Sequence, residues 1–365
     1  MNVPKPDEIA VSPATSPPVT PTDYNSRTYR YGSPKSFHLK PGEFLHDARN
    51  DDKSLVSFAK HLSAMNVFDV FFDYTRVITR DSSKSATEFR KHEELNRYQD
   101  VRCLDETRVH VPGSDGHDYI HANYCDGFRE EKRFIITQAP LPSTVERFWA
   151  MVWQEKATVI VSLTVLDGES VPVYLPTAGA ATIEYGPYSV ENNGVRHIRD
   201  TYEATLLNVK KSGDDKVRRI LHIIFYTWPD KGNPLRPSEL INLVQDVNYN
   251  RERLLVGAKE DGWMTDGEKS PIVVHCLAGV GRSGVYVALD ICQQKLDYTY
   301  ANHKSTLLDV RDTVQRLRSQ RYMAVQKPEQ YLFLHLAMME YALRMRYFDD
   351  VSCVDTSRMM FNKKE

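Results

Sequence analysis

Residues Pro271–Gly284 read PIVVHCLAGVGRSG, an apolar, β-branched run that passes through a glycine-rich turn into RSGVYVALDICQQKL at Arg282–Leu296. The first run predicts a buried strand and the second a helix packed on it. A strand feeding a helix through so short a turn directs backbone N–H groups outward, beside the positive end of the helix dipole. The amides from Leu277, Ala278, Gly279, Val280 and Gly281 to Arg282 are therefore a candidate cradle for a tetrahedral, phosphate-like anion. Gly279 and Gly281 permit close backbone approach. Cys276 faces the same field, which favours thiolate and a nucleophilic sulfur. Arg282 supplies a planar fork that holds two oxygens of one anion, which a lysine point charge cannot do. Ser283 can donate its hydroxyl toward the sulfur, and His275 can order the turn from behind. A lone cysteine is most often a small buried hydrophobe. The joint arrival of cysteine, arginine, two glycines and Ser-Gly at this spacing argues for chemistry instead.

The surroundings fit one large domain with tails. The chain has 365 residues, 41% hydrophobic and 26% charged, with a net charge of −2. That balance gives no reason to expect nucleic acid or a membrane surface as a partner. No apolar run of about 18 residues predicts a membrane span, and the polar N-terminus lacks the apolar core of a secretory signal. Cys103, Cys125, Cys276, Cys292 and Cys353 show no paired spacing, so neither a disulfide framework nor a zinc site is expected, and a reducing compartment suits them.

Residues 1–50, rich in Pro, Ser and Thr, read as a disordered arm in which Ser12, Ser16 and Thr20 precede proline. Residues 51–346 form the expected domain, and 347–365 a loosely held tail. Lys60–Ile78 has helical spacing; Thr158–Leu163 and Ile220–Tyr226 read as strands. Ser143 with Glu146 suggests a capping box, and Thr306 or Ser305 a cap for the helix through Leu317. Thr182–Asp200 looks hairpin-like with its turn at Asn193-Gly194. Trp149 and Trp153, four apart, belong on one core-facing helix face. The expected fold is α/β, a highly twisted mixed sheet flanked by helices, and no internal repeat predicts a second copy.

The cysteine segment resembles the H-C-x-x-G-x-x-R-[S/T]-G signature of the classical, tyrosine-specific protein tyrosine phosphatases of non-receptor type. Five further segments are similar to motifs of that family in the same order: NRYQDV at Asn96–Val101, DYIHANY at Asp118–Tyr124, TQAPLPSTVERFWAMVW at Thr137–Trp153, TWPD ending at Asp230, and RYMAVQKPEQY at Arg321–Tyr331. The resemblance covers roughly Leu62 to Arg344. It implies that Asp230 is the general acid and then base, and that Gln326 places the hydrolytic water with Gln330 beside it. It also implies that Tyr98 stacks on the substrate ring and that Asp100 pairs with peptide backbone. By the same likeness the partners are phosphotyrosine-containing proteins, no cofactor or metal is needed, and the location is cytoplasmic.

This chain departs from the family pattern at several places. Leu277 stands where serine is usual. LDGESVPVYLP at Leu166–Pro176 is shortened and lacks a lysine that in the family steadies the arginine and the acid loop, so the expectation is either that Glu169 or Asp167 substitutes or that the closed state is less favoured. Tyr322 and Met323 suggest a narrower entrance, and Lys231 and Asn233 an altered acid loop. The expected function is hydrolysis of phosphotyrosine in proteins through a cysteinyl-phosphate. A catalytically silent phosphotyrosine-binding protein is the alternative. Oligomeric state is not read from the sequence.

Overall fold

In the computed structural model, Ile9 and residues 54–78, 84–113, 116–177, 181–229, 232–234, 236–303 and 306–359 are described. Apart from Ile9, the arm at 1–50 lies outside them. Ile9 is itself buried, and its carbonyl accepts a hydrogen bond from Arg196 Nη1.

Among the described residues nine strands form one mixed sheet in the order β1-β2-β3-β9-β4-β8-β7-β6-β5. They are β1 (Arg108–His110), β2 (Tyr119–Cys125), β3 (Phe134–Thr137), β4 (Val159–Ser162), β5 (Thr182–Tyr185), β6 (Tyr188–Ile198), β7 (Tyr202–Lys211), β8 (Arg218–Phe225) and β9 (Ile272–His275). The central four, β3, β9, β4 and β8, run parallel, and the flanking strands are antiparallel. Every residue of β9 is buried, and its neighbours alternate between two cores. Ile272 and Val274 join one hydrophobic cluster and Val273 joins the other, as a strand covered on both faces requires.

Helices cover both faces. On one side lies α4 (Val145–Gln154), whose Phe148, Trp149, Val152 and Trp153 are buried against Ile135, Ile160 and Val273. Each such aromatic or aliphatic burial contributes about 1.5–3 kcal/mol, and both tryptophans are core residues, as their spacing predicts. On the other side lie α5 (Pro237–Glu260), α6 (Gly281–His303), α7 (Val310–Gln320) and α8 (Pro328–Arg344), with α1 (Leu55–Ala64) and α2 (Val67–Val77). The helices expected over Lys60–Ile78 are present as the end of α1 and all of α2. They part at Met65-Asn66, where Asn66 and Asp69 form a reciprocal capping box that starts α2. A short helix, α3 (Thr87–Lys91), leads into the NRYQDV segment.

Local signals misplaced three boundaries. Ser143 is not a helix cap, because Pro142–Thr144 forms a 3-10 turn and α4 begins at Val145; the side-chain bond there runs from Leu141 N to Thr144 Oγ1 at 2.8 Å. Asp309, accepting from Asp312 N, caps α7 in place of Thr306, and Ser305 lies outside the described residues. The hairpin turns at Gly186-Pro187, while Asn193-Gly194 is a register shift inside the long strand β6.

The segment after Tyr347 is also held more firmly than its composition suggests. Ser63 Oγ donates to Cys353 O at 3.1 Å and accepts from Asp355 N at 2.8 Å, and Met359 is buried. Among the described residues no helix is long and apolar enough to cross a membrane.

Candidate active site

The parallel registers pair Thr137 and Ser162 with His275, and Ser162 with Ile224, so the C-terminal ends of β3, β4, β8 and β9 lie side by side. Segments leaving these ends converge outside the sheet edge, the usual place for a site in an open parallel sheet. Here they are Gln138–Pro140, Leu163 onward, Tyr226–Pro229 and Cys276–Val280.

The Cys276–Val280 loop is held from behind. Leu277 O accepts from Ala139 N at 2.9 Å, Ala278 O from Arg321 Nη2 at 3.0 Å, Gly279 O from Arg321 Nε at 2.9 Å, and Val280 O from Val325 N at 3.0 Å. With four successive carbonyls tied to the protein, the amides are free for the opposite side. None of those from Leu277 to Val280 has an acceptor among the described residues. α6 starts directly after this loop at Gly281 and brings the positive end of its dipole to the same place. Positive potential without a net side-chain charge follows from this arrangement.

Gly279 makes the loop possible. Its φ is +66°, and a β-carbon there would lie 2.0 Å from Thr137 O. Gly279→Ala should therefore combine left-handed strain with a backbone collision. We expect a loss of at least about 2 kcal/mol of stability, read by thermal or urea unfolding, with loss of anion binding.

Cys276 is buried, 5% exposed, at the entry to α6. Ser283, fully buried on the first turn, has a hydroxyl with no partner among the described residues. The half-buried Arg282 donates from Nη1 to Leu163 O at 3.1 Å and from Nη2 to Pro229 O at 3.2 Å. Its guanidinium thus bridges the ends of β4 and β8 directly before position 230.

The scan against known families matches residues 92–340 to the protein-tyrosine phosphatase family. The chain belongs to this family. It is 37% identical over 259 residues to the tyrosine-protein phosphatase non-receptor type 9 of Rattus norvegicus, covering 69% of this chain and 42% of that protein. The Homo sapiens type 9 protein is 38% identical over 258 residues, 68% of this chain and 42% of its own length. The receptor-type tyrosine-protein phosphatase C of Homo sapiens is 35% identical over 252 residues, 67% of this chain and 18% of that protein. The chain therefore spans about two fifths of the length of the type 9 relatives. Both the family and the α/β fold agree with the sequence reading, and the type 9 relatives support its non-receptor side.

Of the residues expected at the site of this protein-tyrosine phosphatase family member, Asp230 and Lys231 lie outside the described residues. Both flanks of the 230–231 segment are anchored. Trp228 is buried and donates to Gly232 O at 3.1 Å, and Asn233 Nδ2 donates to Glu329 O at the start of α8 at 2.8 Å. Gln330 is buried, and its Oε1 accepts from Gln326 N at 2.9 Å and Lys327 N at 3.2 Å. A β-carbon on Gly281 would sit 2.8 Å from Gln330 Nε2, so that glycine admits the glutamine against the loop. Gln326 itself is exposed.

Tyr98 is 39% exposed, and Asp100 is exposed beside it. Their loop is clamped by Arg97, which donates to Ala139 O, Pro140 O and Ser170 O at 3.2, 2.9 and 2.7 Å. The shortened loop closes on itself, with Asp167 Oδ1 accepting from the amides of Glu169, Ser170 and Val171 at 2.8–3.0 Å. These amides, Val171 foremost, hold the Asp167 carboxyl below its ordinary pKa.

Three supporting residues carry no expectation from sequence. Arg321 is fully buried and binds two loop carbonyls. Tyr174, in the altered loop, reaches His275, and His222 of β8 reaches Tyr174. Only His222 leaves a signal in the sequence, a lone polar residue inside the apolar run of β8.

Proposed function

We propose that the chain is a protein-tyrosine phosphatase that hydrolyses phosphotyrosine in protein substrates through a cysteinyl-phosphate. The observation that supports this reading is the loop between Cys276 and Arg282: four successive carbonyls accept from Ala139, Arg321 and Val325, while the amides of Leu277–Val280 have no acceptor among the described residues.

In the first step the Cys276 sulfur attacks phosphorus as the tyrosyl P–O bond breaks. Asp230 gives its proton to the departing phenolic oxygen. Arg282 and the amides of Leu277–Arg282 hold the equatorial oxygens, where charge builds up in the transition state. In the second step a water placed by Gln326, with Gln330 bracing that segment, attacks phosphorus. The S–P bond breaks, Asp230 takes the water's proton, and Ser283 donates to the leaving sulfur. His275 supports the loop from behind. Tyr98 walls the pocket so that only a phosphate on a long aromatic side chain reaches the sulfur, and Asp100 holds the peptide backbone. The reducing cytoplasm is the compartment we infer, because the five cysteines are unpaired.

Phosphate release from a phosphotyrosine peptide tests the reading. Wild type should turn over, and Asp230→Ala should lower kcat by about 10²–10⁴-fold while peptide still binds. Asp230→Ala activity equal to wild type would remove the acid assignment. Peptide binding by wild type without turnover would make the chain a silent phosphotyrosine-binding protein.

A further inference from the structure

Behind the nucleophile loop two buried histidines share one buried tyrosine hydroxyl, and the chemistry above uses only the nearer. His275 Nδ1 lies 3.1 Å from Cys276 O. Tyr174 Oη lies 2.6 Å from His275 Nε2 and 2.6 Å from His222 Nε2. All three residues have no exposed surface. Burial lowers His275 to about 4 and, with His275 as a second influence, His222 to about 3; it raises Tyr174 well above its ordinary value. All three are therefore neutral near pH 7.

Neutrality fixes the protons. A carbonyl only accepts, so His275 Nδ1 must carry hydrogen and its Nε2 is bare. The Tyr174 hydroxyl then donates to His275 Nε2. Its oxygen must accept from His222, which places hydrogen on His222 Nε2 and leaves Nδ1 bare. His222 Nδ1 is indeed a buried nitrogen without a partner among the described residues. The order is His222 Nε2–H to Tyr174 oxygen, Tyr174 O–H to His275 Nε2, and His275 Nδ1–H to Cys276 O.

We infer that His222, two strands from the nucleophile, is a positioning residue that fixes the direction of this chain and so holds the Cys276 carbonyl away from the anion. By presenting a donor to the tyrosine oxygen, His222 commits the hydroxyl proton to His275. The opposite His275 tautomer would set a nitrogen lone pair against the carbonyl and push the loop from its seat. Successive bonds of one direction also strengthen each other in a dry interior. The other charged groups nearby are Arg97, which acts on His275, and Arg321 and Arg282 on the loop. None of these can reverse the order, since each is only a donor. The kinetic consequence rests on Cys276 being the nucleophile, as proposed above; the proton order does not.

Nitrogen-15 spectra of the two histidine rings in the full chain read the order directly. Between about pH 5.5 and 8 His222 should be the Nε2–H tautomer and His275 the Nδ1–H tautomer, and the reverse at either ring would overturn the inference. Alkylation of Cys276 reads the consequence without any turnover. His222→Leu should slow it about three- to ten-fold near pH 6, and His222→Gln, whose amide still donates, should stay within about two-fold of wild type. In a Tyr174→Phe background His222→Leu should have no further effect. A Leu variant equal to wild type, or effects that multiply, would reduce His222 to packing. If His222→Leu does not fold, the ring tautomers and the Gln variant decide. Correct tautomers in a chain without turnover would refute the phosphatase reading and leave the proton order standing.

Discussion

Replacing Cys276 by serine should abolish phosphate release from a phosphotyrosine peptide, by at least about 10⁴-fold, while peptide binding is kept. Serine fills the same small, 5%-exposed site and leaves the loop untouched, because the loop's carbonyls are held by Ala139, Arg321 and Val325 and not by the sulfur. What is lost is the sulfur nucleophile of the proposed mechanism, because a serine hydroxyl is a far weaker nucleophile than a cysteine thiolate. Steady-state release and peptide binding, measured on the same preparation, separate the two effects. A serine variant that still turns over at a tenth of the wild-type rate would remove Cys276 from the mechanism.

The second large effect is expected at Arg321. Its guanidinium is fully buried and donates to Gly279 O, Ala278 O and Asn123 Oδ1, the last at 2.8 Å, with His121 Nδ1 at 3.2 Å. His121 can take that role because its Nε2–H is committed to Val101 O at 2.8 Å, which leaves Nδ1 bare. Burial pushes the pKa of His121 down to about 3 and Arg321 pushes it further, so the ring is a neutral acceptor. Burial also lowers the pKa of Arg321, though arginine stays charged in any protein. Arg321→Met deletes every one of these bonds and leaves two loop carbonyls and an amide oxygen buried without donors. We expect a loss of about 3–5 kcal/mol of stability by denaturant unfolding. The fraction that stays folded should lose turnover by about 10²-fold, because the carbonyls are then free to face the anion. Arg321→Lys should fare little better, since one ammonium cannot reproduce the fork. Stability and turnover both within error of wild type would contradict this role.

The parts of the fold legible in sequence were those whose signal is local. Ile272–His275 followed by a glycine turn into α6 is written in consecutive residues, and Trp149 with Trp153 marks the buried face of α4 at helical spacing. Pro328 begins α8 as its fixed φ favours. Signals that depend on distant partners were not legible. Asn193-Gly194 has turn chemistry, yet β6 continues through it because β7 pairs along both sides, and the glycine only admits a bulge. The cap of α7 is different: its signal is local, since Asp309 accepts from Asp312 N three residues on, and Thr306 stands too early in the chain to compete for it. The tail after Tyr347 is held by Ser63 of α1, almost 300 residues earlier in the chain, and by burial of Phe348 and Met359 in the core. At the site, Cys276, Arg282 and Ser283 stand in one local motif. Their supports come from elsewhere: Arg321 lies 42 residues from Gly279, and Tyr174 101 residues from His275. Such residues look ordinary in sequence because their roles exist only once the sheet has brought them together.

The central claim is that the Cys276 sulfur takes the phosphoryl group. Rapid acid quenching of the full chain with a phosphotyrosine peptide, followed by peptide mapping, tests it most directly. Phosphate attached to the peptide containing Cys276, more of it in a variant with Gln326 replaced and none in Cys276→Ser, is the expected result. Turnover with no phosphorylated cysteine trapped in either chain, or phosphate found on another residue, would contradict the account.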